Sequence, residues 1–435
     1  FKMKMNVDYS GEATEFKGYE VTECKAKVLA LFKGDESKKE LVKDDLGIVI
    51  LDTTPFYAES GGQVGDRGII KTSNGLFRVE DTQKIKAKIF AHYGVVETNS
   101  IKVSDEVTAT VENDLRKNIM RNHSATHLLH KALKITLGNH VEQKGSLVDD
   151  TKTRFDFSHP HALSADEIKS VEMFVNQEIL NNTDTEAQTM HLDDAKKSGA
   201  MMLFGEKYSD EVRVLSIGSS KELCGGTHVK RTGDIGAFKI ISETGISSGI
   251  RRIEATTGSN VIQYINEHVS IIDRLAHSLK VPSSELLNKI DQIQEQMKEQ
   301  EKNIQQLKSK ITSSESGNLS KKAISVGEVK VVMEKLATSD PQGLRETIDK
   351  LKSELKSAVI ILSGVDQGKV TLAVGVTQDL VAKIKAGEIA SELAISIGGK
   401  GGGKPDLAMA GGSNPELLDQ AFNDCLTKIK KIILN

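Results

Sequence analysis

The sequence lacks an excess of charge of either sign. Its 58 lysines and arginines stand against 61 aspartates and glutamates, a net charge of −3. A field that draws in nucleic acid over the whole surface is therefore excluded, and any RNA contact has to come from a local patch. Long apolar runs are missing as well. None approaches the ~20 residues that span a bilayer, and the N-terminus has no signal-peptide core. Cysteine is scarce: Cys24, Cys224 and Cys425 are the only three, too far apart to suggest a disulfide framework. These absences predict a chain without membrane contact in a reduced, cytoplasmic setting. What is present, 38% hydrophobic and 27% charged residues, fits a folded globular chain and not a disordered one. At roughly 150 residues per domain, 435 residues predict about three domains. The chain begins with Phe1 and not Met, so a piece of a longer protein is expected.

The pattern along the chain predicts an α+β protein in four segments. Residues 1–112 read as a β-rich, barrel-like domain, with strands at 47–52, 68–72, 76–81 and 107–112 separated by Gly-rich turns. Asn74-Gly75 between two such runs is a hairpin signal. Residues 113–260 mix the helical and strand periods. Asn113-Asp114 can cap a helix that ends at Gly138, and Ser164 with Glu167 forms a capping box for another. Strands are expected at 212–217 and 236–241. From 261 to 318 the chain reads as helix. Leu286, Ile290, Ile293, Met297, Gln300, Ile304, Leu307 and Ile311 recur at intervals of four and three. That spacing is an a/d seam, either a hairpin within the chain or a dimer contact; a single amphipathic helix lying on its own domain is the alternative. Residues 313–318 read as a linker. Residues 319–435 form a last α/β domain, with strands at 329–334, 358–365 and 370–376 and helices near 378–397 and 415–432.

Chemistry concentrates in His123-Ser-Ala-Thr-His127 and Cys224-Gly-Gly-Thr-His228. Helical positions four apart share a face, so two imidazoles can reach one ion. A Gly-rich turn lets Cys224 and His228 converge, since glycines permit unusual backbone angles. Together the four offer a tetrahedral zinc shell, with thiolate near ~2.3 Å and imidazole near ~2.0 Å. Two core histidines are the plain alternative, but the added CxxxH pair favours the metal. Four protein ligands make a closed structural site unless one is loosely held, and composition leaves that question open.

The runs RNHSATHLLHKAL, EQKGS at 142–146, RFDF at 154–157 and LCGGTHVKRTGDIGAFKI followed by GIRRIEATTG resemble the editing domain of alanyl-tRNA synthetases. TPFYAESGGQVGDRG at 54–68 is similar to the Gly-rich segment of that family, and GGKGGGKPDLAMAGG at 398–412 to its C-terminal tRNA-binding domain. No segment resembles the adenylate-forming core of a class II synthetase. The resemblance implies hydrolysis of tRNA(Ala) mischarged with serine or glycine, with zinc on His123, His127, Cys224 and His228. It also implies tRNA binding by the C-terminal domain. The a/d seam adds the expectation of a homodimer through the helical segment and the C-terminal domain. Thr126 and Gln143 are then candidates for reading the amino acid or placing water. Gly61, Gly62 and Gln63 would form a turn near the cleft that helps to exclude alanine; the same tripeptide occurs in the ester-hydrolysing loop of release factors, a match that three residues make easily by chance.

Arg251 and Arg252 are candidate contacts to the acceptor end, and Lys400 and Lys404 to the phosphate backbone. The segment 398–404 formally fits a nucleotide loop, but Pro405 replaces the magnesium-holding hydroxyl and the segment follows a helix, which argues against nucleotide binding. Three functions compete at this point: the editing hydrolase, within a synthetase or freestanding; a tRNA-binding and dimerisation module with structural zinc; and a metal-dependent hydrolase or phosphoesterase of another substrate. The last lacks visible machinery, since no Asp-His-His tripeptide occurs.

Overall fold

The computed structural model describes residues 7–86, 88–202, 209–337 and 340–434. They form two compact units, divided between Asp273 and Arg274.

The first unit opens with six antiparallel strands: β1 (Glu23–Lys33), β2 (Leu46–Leu51), β3 (Gly68–Lys71), β4 (Leu76–Lys86), β5 (Ile89–Thr98) and β6 (Glu106–Val111). They pair in the order β6-β3-β4-β5-β2-β1, and β1 pairs back onto β6, so the sheet closes into a barrel. Strand alternation supplies the core. In β6, Val107, Ala109 and Val111 point inward and pack with Val28, Leu51, Ile70, Phe77 and Val79. Closure leaves these strands no free edge within the barrel. Thr72 accepts the Asn74 and Gly75 N–H groups across the β3–β4 hairpin, as the Asn-Gly signal predicts.

The helix α1 (Asn113–Leu137) follows directly, then β7 (Gln143–Val148), β8 (Thr153–Ser158) and α2 (Ala165–Asn181). The cap of α1 is Glu112, with no side-chain bond to the helix, so Asn113 and Asp114 lie inside the first turn and do not cap it. The Ser164–Glu167 capping box forms in both directions. A three-stranded sheet of β9 (Glu186–His191), β10 (Glu211–Ile217) and β11 (Ser220–Leu223) comes next, then β12 (Phe238–Ser247) and β13 (Ile250–Thr257). The latter two complete a sheet in the order β7-β8-β13-β12. Leu128, Leu129 and Leu133 of α1 and Val171, Val175 and Ile179 of α2 bury against Phe155, Phe157, Ile253 and Ala255 of that sheet. A long helix, α3 (Ser259–Leu279), starts here.

The second unit carries α4 (Leu286–Leu319), whose backbone stays helical through 313–318. The expected linker is absent because that stretch holds no proline and one glycine, which costs a helix only ~1 kcal/mol. The seam residues Ile290, Met297, Ile304 and Leu307 are exposed, while Leu286 and Ile293 are partly covered; the side chain of Ile311 lies outside the described residues. Strands β14 (Ile324–Val326) and β15 (Val329–Leu336) lead to α5 (Pro341–Leu355), a helix not expected from the sequence; β16 (Ala358–Asp366) and β17 (Lys369–Val376) come after it. The α5 crossover makes β15 and β16 parallel. The helix expected near 378–397 begins only at Ala386 as α6 (Ala386–Ser396). Before it, Leu380 and Lys383 bond three residues back, so the chain turns without propagating a helix. The Gly-rich segment is an edge strand, β18 (Lys400–Gly403), paired with β19 (Leu407–Gly412); α7 (Leu418–Leu434) ends the unit. Among the described residues no helix is long and apolar enough to cross a membrane.

Candidate metal centre

Arg116, in the first turn of α1, fixes that helix on the barrel. Its guanidinium holds both Asp66 carboxylate oxygens and donates to the Gly18 and Pro55 carbonyls. Arg116 and Asp66 are 2% and 1% exposed, so the pair is fully desolvated. Two turns further on, His123 and His127 stack on one helix face with ring centroids 5.3 Å apart. The chain from β11 brings Cys224 and His228 up to them. The Cys224 Sγ lies 3.1 Å from His228 Nε2 and 3.6 Å from His123 Nε2. One ligand atom from each of His123, His127, Cys224 and His228 lies within 4.8 Å of every other.

Glycine is needed in this loop for space and not for backbone angle, contrary to the expectation from sequence. Gly226 is not among the positive-φ residues. A Cβ on Gly226 would stand 2.2 Å from His123 Cε1, so any other residue would push the loop off the helix. Arg213 secures the loop by donating to the Cys224 and Gly226 carbonyls at 3.0 Å. Its guanidinium lies 4.2 Å over the Tyr19 ring, and the Tyr19 hydroxyl donates to the Gly225 carbonyl.

Each imidazole of the cluster is held through Nδ1, which leaves Nε2 toward the centre. His123 Nδ1 lies 2.7 Å from Gln63 Oε1, His127 Nδ1 2.6 Å from Glu222 Oε2, and His228 Nδ1 3.1 Å from Ser124 Oγ. Glu222 also takes His130 Nδ1 at 3.0 Å. This is how metal-bound histidines are usually oriented, with the outer partner fixing tautomer and ring. The Nε2 atoms of His127 and His130 are both buried with no hydrogen-bond partner; that of His127 faces the other three donors, where an ion would take its lone pair. Electrostatics agree. Burial opposes ionisation of Cys224, yet the imidazoles of His123, His228 and His127 hold the thiol well below its ordinary value. Withdrawal from bulk solvent pushes His228 down to about 3, which keeps it neutral. Burial also works against charge on His127, but Glu222 and Cys224 outweigh it and raise that imidazole to about 10. A position so favourable to a proton is favourable to a cation. Thiolate and imidazole together are the donor set of zinc, and the four residues present fit it.

Of the remaining expected residues, Gln63 bonds a cluster histidine and the others stand elsewhere. The Thr126 hydroxyl is buried and committed to the Asn122 carbonyl and to Thr153, on the side of α1 that faces the sheet. Gln143 starts β7 and is half-buried. Gln63 is 0% exposed and bonded to His123 and Thr227, so its amide has no open face toward a substrate. Gly61 and Gly62 form the turn before it; Gly62 has φ +85° and a Cβ there would stand 2.6 Å from the Ser146 carbonyl oxygen. Arg251 and Arg252 are each engaged by a carboxylate, Glu243 and Asp156 respectively, the latter in a two-pronged pair at 2.7 Å. Lys400 and Lys404 are exposed, the first opening the edge strand and the second following it. Sequence reasoning missed Glu222, Ser124, Arg213 and Arg116. Glu222 carried no local signal beyond lying two residues before Cys224, since its strand ends at Leu223.

Comparison with known proteins defines the class. A family described as tRNA synthetases class II (A) matches residues 2–115, the threonyl and alanyl tRNA synthetase second additional domain matches 212–254, and the DHHA1 domain matches 328–433. The first match falls on the barrel and corrects the expectation that no segment resembles a class II synthetase. The cluster-bearing chain is thus of the aminoacyl-tRNA synthetase class. Alanine–tRNA ligase of Methylobacillus flagellatus is 55% identical over 422 residues, covering 97% of this chain and 48% of that protein. The same ligase of Thiobacillus denitrificans is 53% identical over the same shares. The C-Ala domain of Aquifex aeolicus alanyl-tRNA synthetase is a solved structure at 26% identity, covering 26% of this chain and 98% of that one at a TM-score of 0.24. The chain belongs to the alanyl-tRNA synthetase family and corresponds to its C-terminal portion. It spans about half the length of the curated relatives it matches.

Proposed function

We propose that the first unit hydrolyses the ester of tRNA(Ala) mischarged with serine or glycine, and that His123, His127, Cys224 and His228 hold zinc for that reaction. The observation that carries the reading is the cluster itself: a thiol and three imidazoles from segments 101 residues apart, each imidazole tied at Nδ1 and the His127 Nε2 left without a partner. The need is physical. A pocket shaped for alanine gains only ~1–3 kcal/mol against glycine from one methyl, and little more against serine's hydroxyl, so a second site that destroys the wrong product restores accuracy. Zinc, when bound, supplies a Lewis acid beside the ester. The chain's own part is to orient. Gln63, Glu222 and Ser124 fix the three rings, and Cys224 and His228 are the less buried pair of the four, the side from which the aminoacyl end would approach. Gln143, at the head of β7, remains the candidate for placing water.

In the same reading residues 1–112 and 113–260 act together as the editing part. The exposed seam of α4 within 261–318 joins a second copy, and 319–435 holds tRNA through Lys400 and Lys404. The second reading is a tRNA-binding module with structural zinc; four protein donors favour it, since they fill a tetrahedral shell. The test offers serine-, glycine- and alanine-charged tRNA(Ala) to the chain and follows ester loss. Hydrolysis of the first two with alanine spared supports editing. Binding without hydrolysis overturns it in favour of the module.

A further inference from the structure

One buried side chain of the strand-rich half bonds a cluster histidine directly. Gln63 Oε1 lies 2.7 Å from His123 Nδ1 and accepts the Thr227 N–H at 3.0 Å, while its Nε2 donates to Thr227 Oγ1 at 2.8 Å. An amide oxygen can only accept, so the ring proton of His123 sits on Nδ1 and the Nε2 lone pair is left for an ion. Thr227 belongs to the same loop as Cys224 and His228. A single amide therefore sets the helix histidine and the thiol-bearing loop at once. The turn that carries it is itself stitched to β7, with Val64 N–H donating to the Val148 carbonyl and Val148 N–H to the Gly62 carbonyl at 2.7 Å. Gln63 is fully enclosed, yet it comes from the strand-rich half of the unit and not from the helix or loop that bear the ligands.

We propose that Gln63 is a positioning residue of the metal centre and that ion loading and docking of the 60–64 turn are energetically coupled. This replaces the expectation that Gly61, Gly62 and Gln63 select the amino acid, and it rests on the reading of the cluster as a metal centre. The coupling is reciprocal by thermodynamic necessity. A cation on His123 Nε2 makes its Nδ1–H a stronger donor to Gln63, so occupancy tightens the turn; the docked turn in turn presents Nε2 and raises affinity for the ion.

Two variants of the whole chain separate orientation from packing. Gln63→Met keeps the volume and removes the acceptor. Gln63→Glu keeps an acceptor for both His123 Nδ1–H and Thr227 N–H. Zinc affinity, measured by competition with a chromophoric chelator, falls about 10- to 100-fold in Q63M and stays within about threefold in Q63E, as outer partners of metal-bound histidines behave. In the unaltered chain, zinc slows hydrogen exchange at the Gln63 and Val64 amides. Wild-type affinity in Q63M, equal loss in Q63M and Q63E, or no zinc effect on those amides overturns the coupling alone. An unaltered chain that binds no zinc overturns the metal reading and the coupling with it.

Discussion

Replacing Arg116 by Met tests how firmly the barrel is fixed to the helix that carries His123 and His127. The substitution leaves Asp66, 1% exposed, with the Tyr57 N–H as its remaining backbone donor, and it orphans the Gly18 and Pro55 carbonyls. Removing one partner of a buried ion pair costs about 3–5 kcal/mol because the other charge stays desolvated and uncompensated. With each 1.4 kcal/mol a factor of ten, the lower bound of about 3 kcal/mol is roughly 150-fold in the local opening equilibrium. The chain has two units, so bulk unfolding would mix their transitions. Hydrogen exchange at the Tyr57 and Asp66 amides avoids this, since Asp66 N–H bonds the Tyr57 carbonyl and Tyr57 N–H the Asp66 carboxylate. Both should exchange at least about 100-fold faster in R116M. The double variant R116M/D66N removes the stranded charge and keeps an acceptor for Tyr57, so it should recover much of the protection. Rates within threefold of the unaltered chain would refute the idea that this pair is the fastening.

Glu222→Gln removes the charge that orients His127 and His130; zinc affinity by chelator competition should fall about 10- to 100-fold, and a change under twofold would contradict the role. His92 is buried in the barrel between Thr54 and the Val49 carbonyl, and burial pushes it down to about 4 from 6.5. The folded chain thus binds fewer protons than the unfolded one between those values. Barrel stability is fully present above pH 6.5 and is lost as pH falls toward 4, by about 3 kcal/mol at 1.36 kcal/mol per unit. His92→Gln should flatten that part of the pH–stability curve read by hydrogen exchange at the β2 and β5 amides, corrected for intrinsic exchange, and an unchanged slope would count against it. Lys400→Ala with Lys404→Ala should weaken tRNA binding and lower the salt slope by roughly 0.7–0.9 for each phosphate no longer neutralised; an unchanged slope would remove this edge from the interface.

Much of the fold is legible in the chain because local chemistry and tertiary outcome coincide. Val107, Ala109 and Val111 alternate and are the inward face of β6; His123 and His127 are four apart and share a helix face. Other features are written less plainly. The Gly-rich run at 400–403 has low strand propensity, and only pairing with β19 makes it a strand. Asp340-Pro341 does carry a helix-start signal, with Leu344, Ile348 and Leu351 at helical spacing behind it, but the denser apolar strands on either side dominate the pattern. Arg251 and Arg252 look like free cations in sequence, and only the fold reveals Glu243 and Asp156 against them. Gln63 stands out in sequence only through the glycines before it, and its partner lies 60 residues away on another element, beyond any local pattern.

The most direct measurement is ester loss from serine-charged tRNA(Ala) by the chain stripped of metal and then reloaded with zinc, beside Cys224→Ala handled identically. The account predicts no hydrolysis after stripping, full recovery at one zinc per chain, and no recovery in C224A while its circular dichroism stays that of the unaltered chain. Undiminished hydrolysis by the stripped chain, or zinc-restored hydrolysis by C224A, would contradict it.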